Sequence, residues 1–191
     1  QLRDSGCFYL GITGGEPFLR EDLPQIVDVV LNRSKRLCAL HFATNGTLTD
    51  RIINLASKVS SKNKKINLLF TISMDGPEPL HDKIRGIDGT WKKACTTFKE
   101  LRAIKRVQPR FGWTLSDSNM GKFRHTYDSL KDVYPDLTPD GLTVNIFQKS
   151  GFYYENQSLP GLDSASLLNE LKDIASIDKG KTTFNNFLRR R

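Results

Sequence analysis

The segment Cys7-Phe8-Tyr9-Leu10-Gly11-Ile12-Thr13-Gly14-Gly15-Glu16-Pro17 stands near the start of the chain and decides its fold. Its first six residues form an apolar run whose length suits a buried strand. The glycine pair and the proline that follow are typical of a tight turn. Apolar residues then recur at helical spacing between Leu23 and Leu31, with Pro24 in the first turn. The segment therefore predicts a strand, a glycine-rich turn and a helix.

The same order recurs four more times along the chain. We predict further strands at residues 37–43, 66–73, 111–115 and 142–147. Helical spacing of apolar residues follows each strand, with Thr49 and Thr90 as expected N-caps and Ser164 opening the last helix. Strands that alternate with helices indicate an α/β fold with a parallel sheet. A closed eight-stranded barrel needs about 250 residues, so an incomplete barrel and an open sheet both fit this chain.

Composition narrows the class of protein. The 191 residues are 38% hydrophobic and 26% charged, as in an ordinary globular domain. No apolar run is long enough for a membrane span, and no secretory signal opens the sequence. The net charge is +8, but no aromatic residues alternate with the basic clusters, so nucleic-acid binding is not predicted. A basic surface favours an acidic partner.

The cysteines do not form a metal-binding pattern. Cys7, Cys38 and Cys95 are far apart in the sequence, whereas a metal-gripping loop places two cysteines within a few residues. Cys7 and Cys38 open predicted strands, where we expect buried thiols that act as small apolar groups. We therefore predict a reducing, cytoplasmic compartment.

Each of the first four predicted strands is followed by a polar or glycine-rich cluster. The clusters are Gly14-Gly15-Glu16-Pro17, Thr44-Asn45-Gly46, Ser73-Met74-Asp75-Gly76-Pro77 and Ser116-Asp117-Ser118-Asn119. Because the carboxyl ends of parallel strands meet at one edge, we expect these clusters to form a ligand site. Residues 74–89 are the longest connection, which we interpret as a binding loop. It contains Arg85, whose guanidinium suits a carboxylate.

Together these clusters resemble the motifs of radical S-adenosylmethionine (SAM) enzymes. Gly14-Gly15-Glu16-Pro17 resembles the Gly-Gly-Glu-Pro motif of that superfamily, and Thr44-Asn45-Gly46 resembles the end of its third strand. The pattern from Ser73 to Gly86 is similar to the fourth strand and following loop of SPASM-type peptide maturases and anaerobic sulfatase-maturating enzymes. The resemblance covers roughly residues 7–150.

The resemblance implies a fold and a set of cofactor-binding residues. The implied fold is an incomplete (β/α)6 barrel, a partial TIM barrel of the radical SAM type. Gly14, Gly15 and Glu16 would hold the methionine amine of SAM, while Ser73 and Arg85 would hold its carboxylate. The remaining candidates for contacts with the cofactor or substrate are Pro17, Thr44, Asn45, Asp75 and Asn119. The resemblance gives no catalytic residue and no metal ligand in this chain.

The implied reaction is the reductive cleavage of SAM at a [4Fe–4S] cluster. It yields a 5′-deoxyadenosyl radical that abstracts hydrogen from a substrate. A peptide or protein is one candidate, and lipid, nucleotide and small-metabolite substrates remain open at this point. The electron comes from a reductant such as flavodoxin or ferredoxin. The family holds the cluster with a Cys-x3-Cys-x2-Cys loop after its first strand, and this sequence has no such loop.

The earliest strand of this chain resembles the family's second strand, and the sequence begins with Gln1. We therefore expect residues 1–191 to be one partial radical SAM barrel domain, truncated at the N-terminus and at the C-terminus. We expect the cluster cysteines upstream, and no activity from this piece alone.

Two other functions remain open at this point. A degenerate barrel could bind SAM or a partner without chemistry. A metal-dependent barrel lyase could use Glu16, Asp75 and His81 around a divalent ion, since hard oxygen ligands suit such a metal.

Overall fold

The computed structural model of the protein describes residues 6–147 and 163–177. Strands and helices alternate through this part of the chain. The elements are β1 (Tyr9–Ile12), α1 (Leu23–Arg33), β2 (Ala39–Thr44), α2 (Thr49–Lys62), β3 (Asn67–Ser73), α3 (Glu78–Arg85), α4 (Thr90–Arg102), β4 (Val107–Leu115), α5 (Phe123–Val133), β5 (Leu142–Ile146) and α6 (Ser164–Ile177). Short 3-10 turns lie at Pro17–Leu19 and Pro139–Gly141.

The strands form a five-stranded parallel sheet in the order β1-β2-β3-β4-β5. β2 pairs in parallel with β1 and with β3, and Phe42 lies opposite Phe70 in the second of these pairings. Strands that are neighbours in the sheet are thus also consecutive in the sequence. At least one helix connects each strand to the next, as in β-α units. The predicted α/β class is confirmed, and the sheet is compatible with a partial barrel.

Four details of the sequence-based assignment were wrong. The first strand was predicted to be buried, but the residues of β1 are exposed or half-buried. The connection at residues 74–89 contains helix α3 and is not an irregular loop. β4 begins at Val107, four residues before its predicted start. Leu48 and Gly89 are the N-cap residues of α2 and α4, so Thr49 and Thr90 are the first helical residues and not the caps.

The prediction of buried thiols is wrong for Cys38, which is exposed, and Cys7 is half-buried. Cys38 precedes β2 by one residue, and its thiol contacts the backbone carbonyl of Arg36 at 3.3 Å instead of entering the core. Cys95, on the inner side of α4, is buried, and none of the three forms a disulfide.

The chain divides into two compact units. Within the described residues, the first contains the chain up to Met74 and Asp88–Phe111, and the second contains Asp75–Ile87 and the chain from Gly112 onward. The prediction of one domain over residues 1–191 stays a prediction. None of the described helices is long and apolar enough to cross a membrane.

The first unit is built on one covered face of the sheet. Burial alternates along β2 and β3, so that every second side chain is buried and the others are half-buried, except for the exposed Asn67. Phe18 lies beside Phe42, and Phe42 stacks on Phe70 with ring centroids 5.2 Å apart. Aromatic pairs at this distance add to the stabilisation from apolar burial. This cluster fixes the turn after β1 against the first strands.

The second unit has its own apolar cluster. Trp113 of β4 meets Phe123 of α5 edge to face, with ring centroids 5.4 Å apart. Ile174 of α6 is buried in the same cluster. Glu170 of α6 accepts hydrogen bonds from the backbone N–H groups of Gly121 and Phe123, at 2.8 and 3.1 Å. A carboxylate at this place satisfies N–H groups that the start of α5 leaves without helical partners.

Gly46, in the turn after β2, lies against neighbouring elements of the first unit. Its φ is +74°, and a Cβ atom there would lie 2.7 Å from Cγ2 of Ile72 and 3.1 Å from Cα of Ala94. Its carbonyl accepts a hydrogen bond from the Thr97 hydroxyl at 2.7 Å. The position therefore requires glycine both for its backbone angle and for the space that it leaves.

We predict that Gly46→Ala lowers the free energy of unfolding by about 2–4 kcal/mol, because overpacking adds to the backbone strain. Gly121→Ala is the matched control, since Gly121 has the same φ of +74° but open space where a Cβ would lie. It should cost only about 1 kcal/mol. Urea unfolding measures both, and equal losses would show that the contacts with Ile72 and Ala94 do not matter.

His81 anchors α3 within the second unit. It is 1% exposed, and its Nδ1 accepts a hydrogen bond from the backbone N–H of Asp75 at 3.0 Å. The proton of the neutral ring is therefore on Nε2, which is buried and has no hydrogen-bond partner among the described residues. Burial lowers the pKa of His81 to about 4, opposed by the negative charges of Asp75 and Asp82 and assisted by the positive charge of Arg85.

This shift predicts a dependence of stability on pH. Below its ordinary pKa of 6.5, the unfolded imidazole binds a proton while the folded one stays neutral until about pH 4. Stability should therefore fall as the pH decreases from about 7 to about 4, by up to about 3 kcal/mol from this residue. His81→Gln should flatten that part of the unfolding profile. His125→Gln, at an exposed position of α5, should leave it as in the natural protein; identical profiles for the two variants would contradict the assignment.

Candidate functional site

Glu16 connects the ends of β1 and β2. It follows the glycine pair after β1 and is the N-cap of the 3-10 turn, where its Oε1 accepts a hydrogen bond from the backbone N–H of Phe18 at 3.2 Å. The same oxygen accepts the hydroxyl of Thr44 at 2.8 Å, and Oε2 accepts the backbone N–H of Asn45 at 2.6 Å. Three donors from two strand ends therefore hold one carboxylate.

The two partners of Glu16 after β2 are themselves fixed. The Thr44 hydroxyl accepts a hydrogen bond from the backbone N–H of Gly46 at 3.1 Å, which leaves its own proton for Glu16. The Asn45 side chain accepts from the N–H and the hydroxyl of Thr47, at 2.9 and 2.7 Å. The structure therefore gives Thr44 and Asn45 the role of orienting Glu16.

The glycine pair leaves open space beside this carboxylate. Gly14 and Gly15 are exposed, and a Cβ atom at either would meet nothing within 4 Å. Gly14 has a φ of +140°, which side chains rarely adopt. Pro17 is buried and begins the 3-10 turn, so it stiffens the segment and faces away from solvent. Backbone groups of the pair are accessible to a ligand, while Pro17 serves the fold.

No positively charged side chain among the described residues forms an ion pair with Glu16. A carboxylate has about four lone-pair sites, and the three donors leave room for another hydrogen bond. Among residues 6–147 and 163–177, only neutral donors therefore meet its charge. A carboxylate held in this way beside two glycines fits a ligand ammonium group, such as the amine of SAM.

A second group of predicted residues comes together in the second unit. The carboxylate of Asp75 forms an ion pair with Arg85, with Oδ2 2.5 Å from Nη2. Its Oδ1 accepts the backbone N–H of Thr114 at 3.4 Å. Asn119 donates from its side-chain amide to the backbone carbonyls of Asp75 and Thr114, at 3.1 and 2.9 Å. Asp75, Arg85 and Asn119 thus belong to one cluster. The prediction that the clusters after all four strands form a single ligand site stays a prediction.

Asn119 is fully engaged by the protein. Besides its two donated bonds, its oxygen accepts the backbone N–H of Ser116 at 2.8 Å and lies 3.3 Å from the Ser116 hydroxyl. The residue is 1% exposed. It therefore ties the turn after β4 to the segment after β3, and this geometry supports a structural role more than contact with a ligand.

Ser73 is the last residue of β3 and is half-buried in the first unit, whereas Arg85 belongs to the second unit. The pairing of these two residues at a carboxylate stays a prediction. The sequence-based interpretation missed the part that His81 and Thr114 play in holding Asp75. The signal for His81 was its position six residues after Asp75, as the fourth residue of the short helix α3.

The side chains described here do not fit a divalent metal ion or an iron–sulfur cluster. Within residues 6–147 and 163–177, no group of three His, Cys, Asp or Glu side chains could hold a metal ion. For the lyase hypothesis, Asp75 is paired with Arg85 and Nδ1 of His81 is already used. The three cysteines of the sequence, none near another in the chain, do not fit the thiolate set of a [4Fe–4S] cluster.

Comparison with known proteins supplies an independent observation. No protein-family model matches the sequence. The chain is 29% identical over 133 residues to the antilisterial bacteriocin subtilosin biosynthesis protein AlbA of Bacillus subtilis. It is 34% identical over 132 residues to the Fe-coproporphyrin III synthase of Methanosarcina barkeri. Each match covers 69% of this chain, but only 28% and 31% of the two relatives.

The chain thus spans less than a third of the length of each curated relative that it matches. The matched lengths, 133 and 132 residues, are close to the length of the segment that carries the strand-end motifs, residues 7–150. With the Gly-Gly-Glu-Pro turn after β1 and the Ser73 to Gly86 pattern after β3, these two similarities show that the chain is related to the radical SAM superfamily.

Proposed function

We propose that this chain is the SAM-binding part of a radical SAM enzyme, built on a partial (β/α)6 barrel. The observation that carries the proposal is the Glu16 carboxylate, held by three neutral donors beside an open glycine pair. A ligand ammonium would supply the positive charge that this carboxylate lacks.

The proposed contact is specific to the amino-acid end of SAM. Glu16 accepts from the ammonium group, and the backbone of the exposed residues Gly14 and Gly15 would provide further acceptors. Because Thr44 and Asn45 fix the carboxylate before the ligand arrives, little side-chain entropy is lost on binding. The carboxylate of SAM is assigned to Ser73 and Arg85, as the resemblance implies.

For the whole protein we propose the reaction of the superfamily. In that superfamily reaction a [4Fe–4S] cluster, held by cysteines other than those of this chain, would supply the electron for cleavage of SAM. The cysteines in this sequence do not fit such a cluster, so we derive no electron-transfer step from its residues. The part of this chain is to bind and orient SAM and to shield it from water.

Reductant, substrate and compartment belong to the same proposal. A reductant such as flavodoxin or ferredoxin would supply the electron, and the protein would act in the cytoplasm. The names of the two relatives point to different products, a bacteriocin and a porphyrin. The Ser73 to Gly86 pattern, which is similar to that of peptide maturases, favours a peptide or protein substrate here.

We predict that Glu16→Gln in the complete natural protein weakens SAM binding by about tenfold or more, because a neutral amide replaces the charge that faces the ammonium. Isothermal titration calorimetry under anaerobic conditions measures the dissociation constant. Glu100→Gln removes the same charge from an exposed position of α4 and should change it less than twofold.

A thermal unfolding scan of both variants separates binding from stability. The proposed amine site would be refuted if Glu16→Gln bound SAM with unchanged affinity and unfolded at the same temperature as the natural protein. Equal losses in the two variants would indicate a general effect of charge and also contradict it.

A second function, SAM binding without chemistry, is favoured by one observation. No cluster-binding group is present among the described residues, and the sequence lacks the spacing for one. We expect the complete natural protein, reconstituted anaerobically with iron and sulfide and then reduced, to release 5′-deoxyadenosine from SAM. Chromatography detects the product. If the reconstituted protein binds SAM but yields none above the unreduced control, the non-catalytic function is correct.

A further inference from the structure

We propose that Asp75 is a positioning residue that holds the Arg85 guanidinium ready to receive a carboxylate. The inference rests on the proposed function, because the carboxylate that we assign to Arg85 is that of SAM. The residues that carry it all lie in the second compact unit: Asp75, His81, Arg85, Thr114 and Asn119.

Asp75 is held at four points. Its backbone N–H donates to Nδ1 of His81, and its backbone carbonyl accepts from the amide of Asn119. Its Oδ1 accepts the backbone N–H of Thr114, and its Oδ2 meets Arg85. The first three contacts do not involve Arg85. Contacts other than the ion pair therefore set the direction of the carboxylate.

Burial makes the ion pair necessary. The Asp75 side chain is 6% exposed, and a buried carboxylate without a counter-charge is strongly unfavourable. The neighbouring His81 is neutral and cannot provide that charge, since its Nδ1 is an acceptor for Asp75 itself. Arg85, with Nη2 at 2.5 Å, is the cation that compensates Asp75. The ion pair with Asp75 therefore favours one orientation of the Arg85 side chain in the free protein.

Arg85 keeps donors for a ligand while it is held. A guanidinium has five N–H donors in a rigid plane, and the contact with Asp75 uses Nη2. The Arg85 side chain is 32% exposed, so part of the group faces solvent. Arg85 is also the last residue of α3, which ends at Gly86 with a left-handed backbone. The backbone that carries the guanidinium is thus fixed as well.

These features give Asp75 a function beyond stability. An unrestrained arginine loses rotamer freedom when it binds a carboxylate with two parallel hydrogen bonds. A guanidinium that is already oriented by Asp75 loses less, so binding is tighter at the same contacts. The advantage exists only for ligands that carry a carboxylate. This restriction distinguishes positioning from a general structural effect.

The test compares SAM with decarboxylated SAM, which lacks the carboxylate but keeps the amine, sulfonium and adenosine. In Asp75→Asn of the complete natural protein, we expect SAM to bind about tenfold more weakly, in line with the loss of a charged positioning contact. Decarboxylated SAM should change less than twofold. Asp88→Asn, at an exposed position three residues after Arg85, is the control and should alter neither affinity.

Equal weakening for both ligands in Asp75→Asn would show that Asp75 only stabilises the fold and would overturn the inference. Its failure is distinguishable from that of the proposed function. If the natural protein binds SAM and Glu16→Gln weakens it, while Asp75→Asn leaves the ratio of the two affinities unchanged, only the role of Asp75 is refuted. If the natural protein binds no SAM, both are refuted.

A measurement on the natural protein covers the case in which Asp75→Asn does not fold. In the unliganded protein, 15N NMR of the guanidinium groups should show resolved Nη resonances for Arg85, because the ion pair slows rotation of the group. Averaged resonances, like those of the exposed Arg33 on α1, would show that Asp75 does not hold Arg85.

Discussion

The candidate site depends on the hydrogen bonds by which neutral donors hold one carboxylate in place. Glu16 joins the turn after β1 to the end of β2 through Phe18, Thr44 and Asn45. Removing it would leave the Thr44 hydroxyl and two backbone N–H groups without their acceptor, at a cost of about 1–3 kcal/mol for each group that stays buried. The residue that we assign to the ligand is thus also the one that organises the turn.

The second unit holds its carboxylate, that of Asp75, in a different way. Asp75 is more deeply buried than Glu16 and has a cation, Arg85, within 2.5 Å. A deeply buried carboxylate needs that charge, whereas a half-buried one keeps contact with solvent and can be held by hydrogen bonds alone. The difference in burial fits the two roles that we propose, in which Glu16 offers negative charge to a ligand and Asp75 uses its charge to place a positive group.

The sequence predicted the elements whose side chains follow a simple period. β2 and β3 were found because apolar residues fill the covered face, and the Gly-Gly-Glu-Pro turn because its residue types are rare in combination. Helix α3 was missed because its one fully buried side chain is His81, which counts as polar in any periodicity. The start of β4 was missed because Gln108, Pro109 and Arg110 read as a loop. The contacts of Asp75 with Thr114 and Asn119 join residues 39 and 44 positions apart, which no local pattern shows.

Recognition of SAM and reduction of SAM need different chemistry from a protein. Its ammonium and carboxylate are recognised by charged oxygen and nitrogen groups, whereas an iron–sulfur cluster is held by thiolates. The segments after β1 and β3 carry the first kind of group, in Glu16 and in Arg85 at the end of α3, and no cysteine lies within residues 13–22 or 74–89. A cysteine close to Glu16 would not improve the ammonium contact, because neutral sulfur is a weak acceptor. The residues after β1 and β3 are therefore suited to recognition, and their value can be measured by binding without any electron transfer.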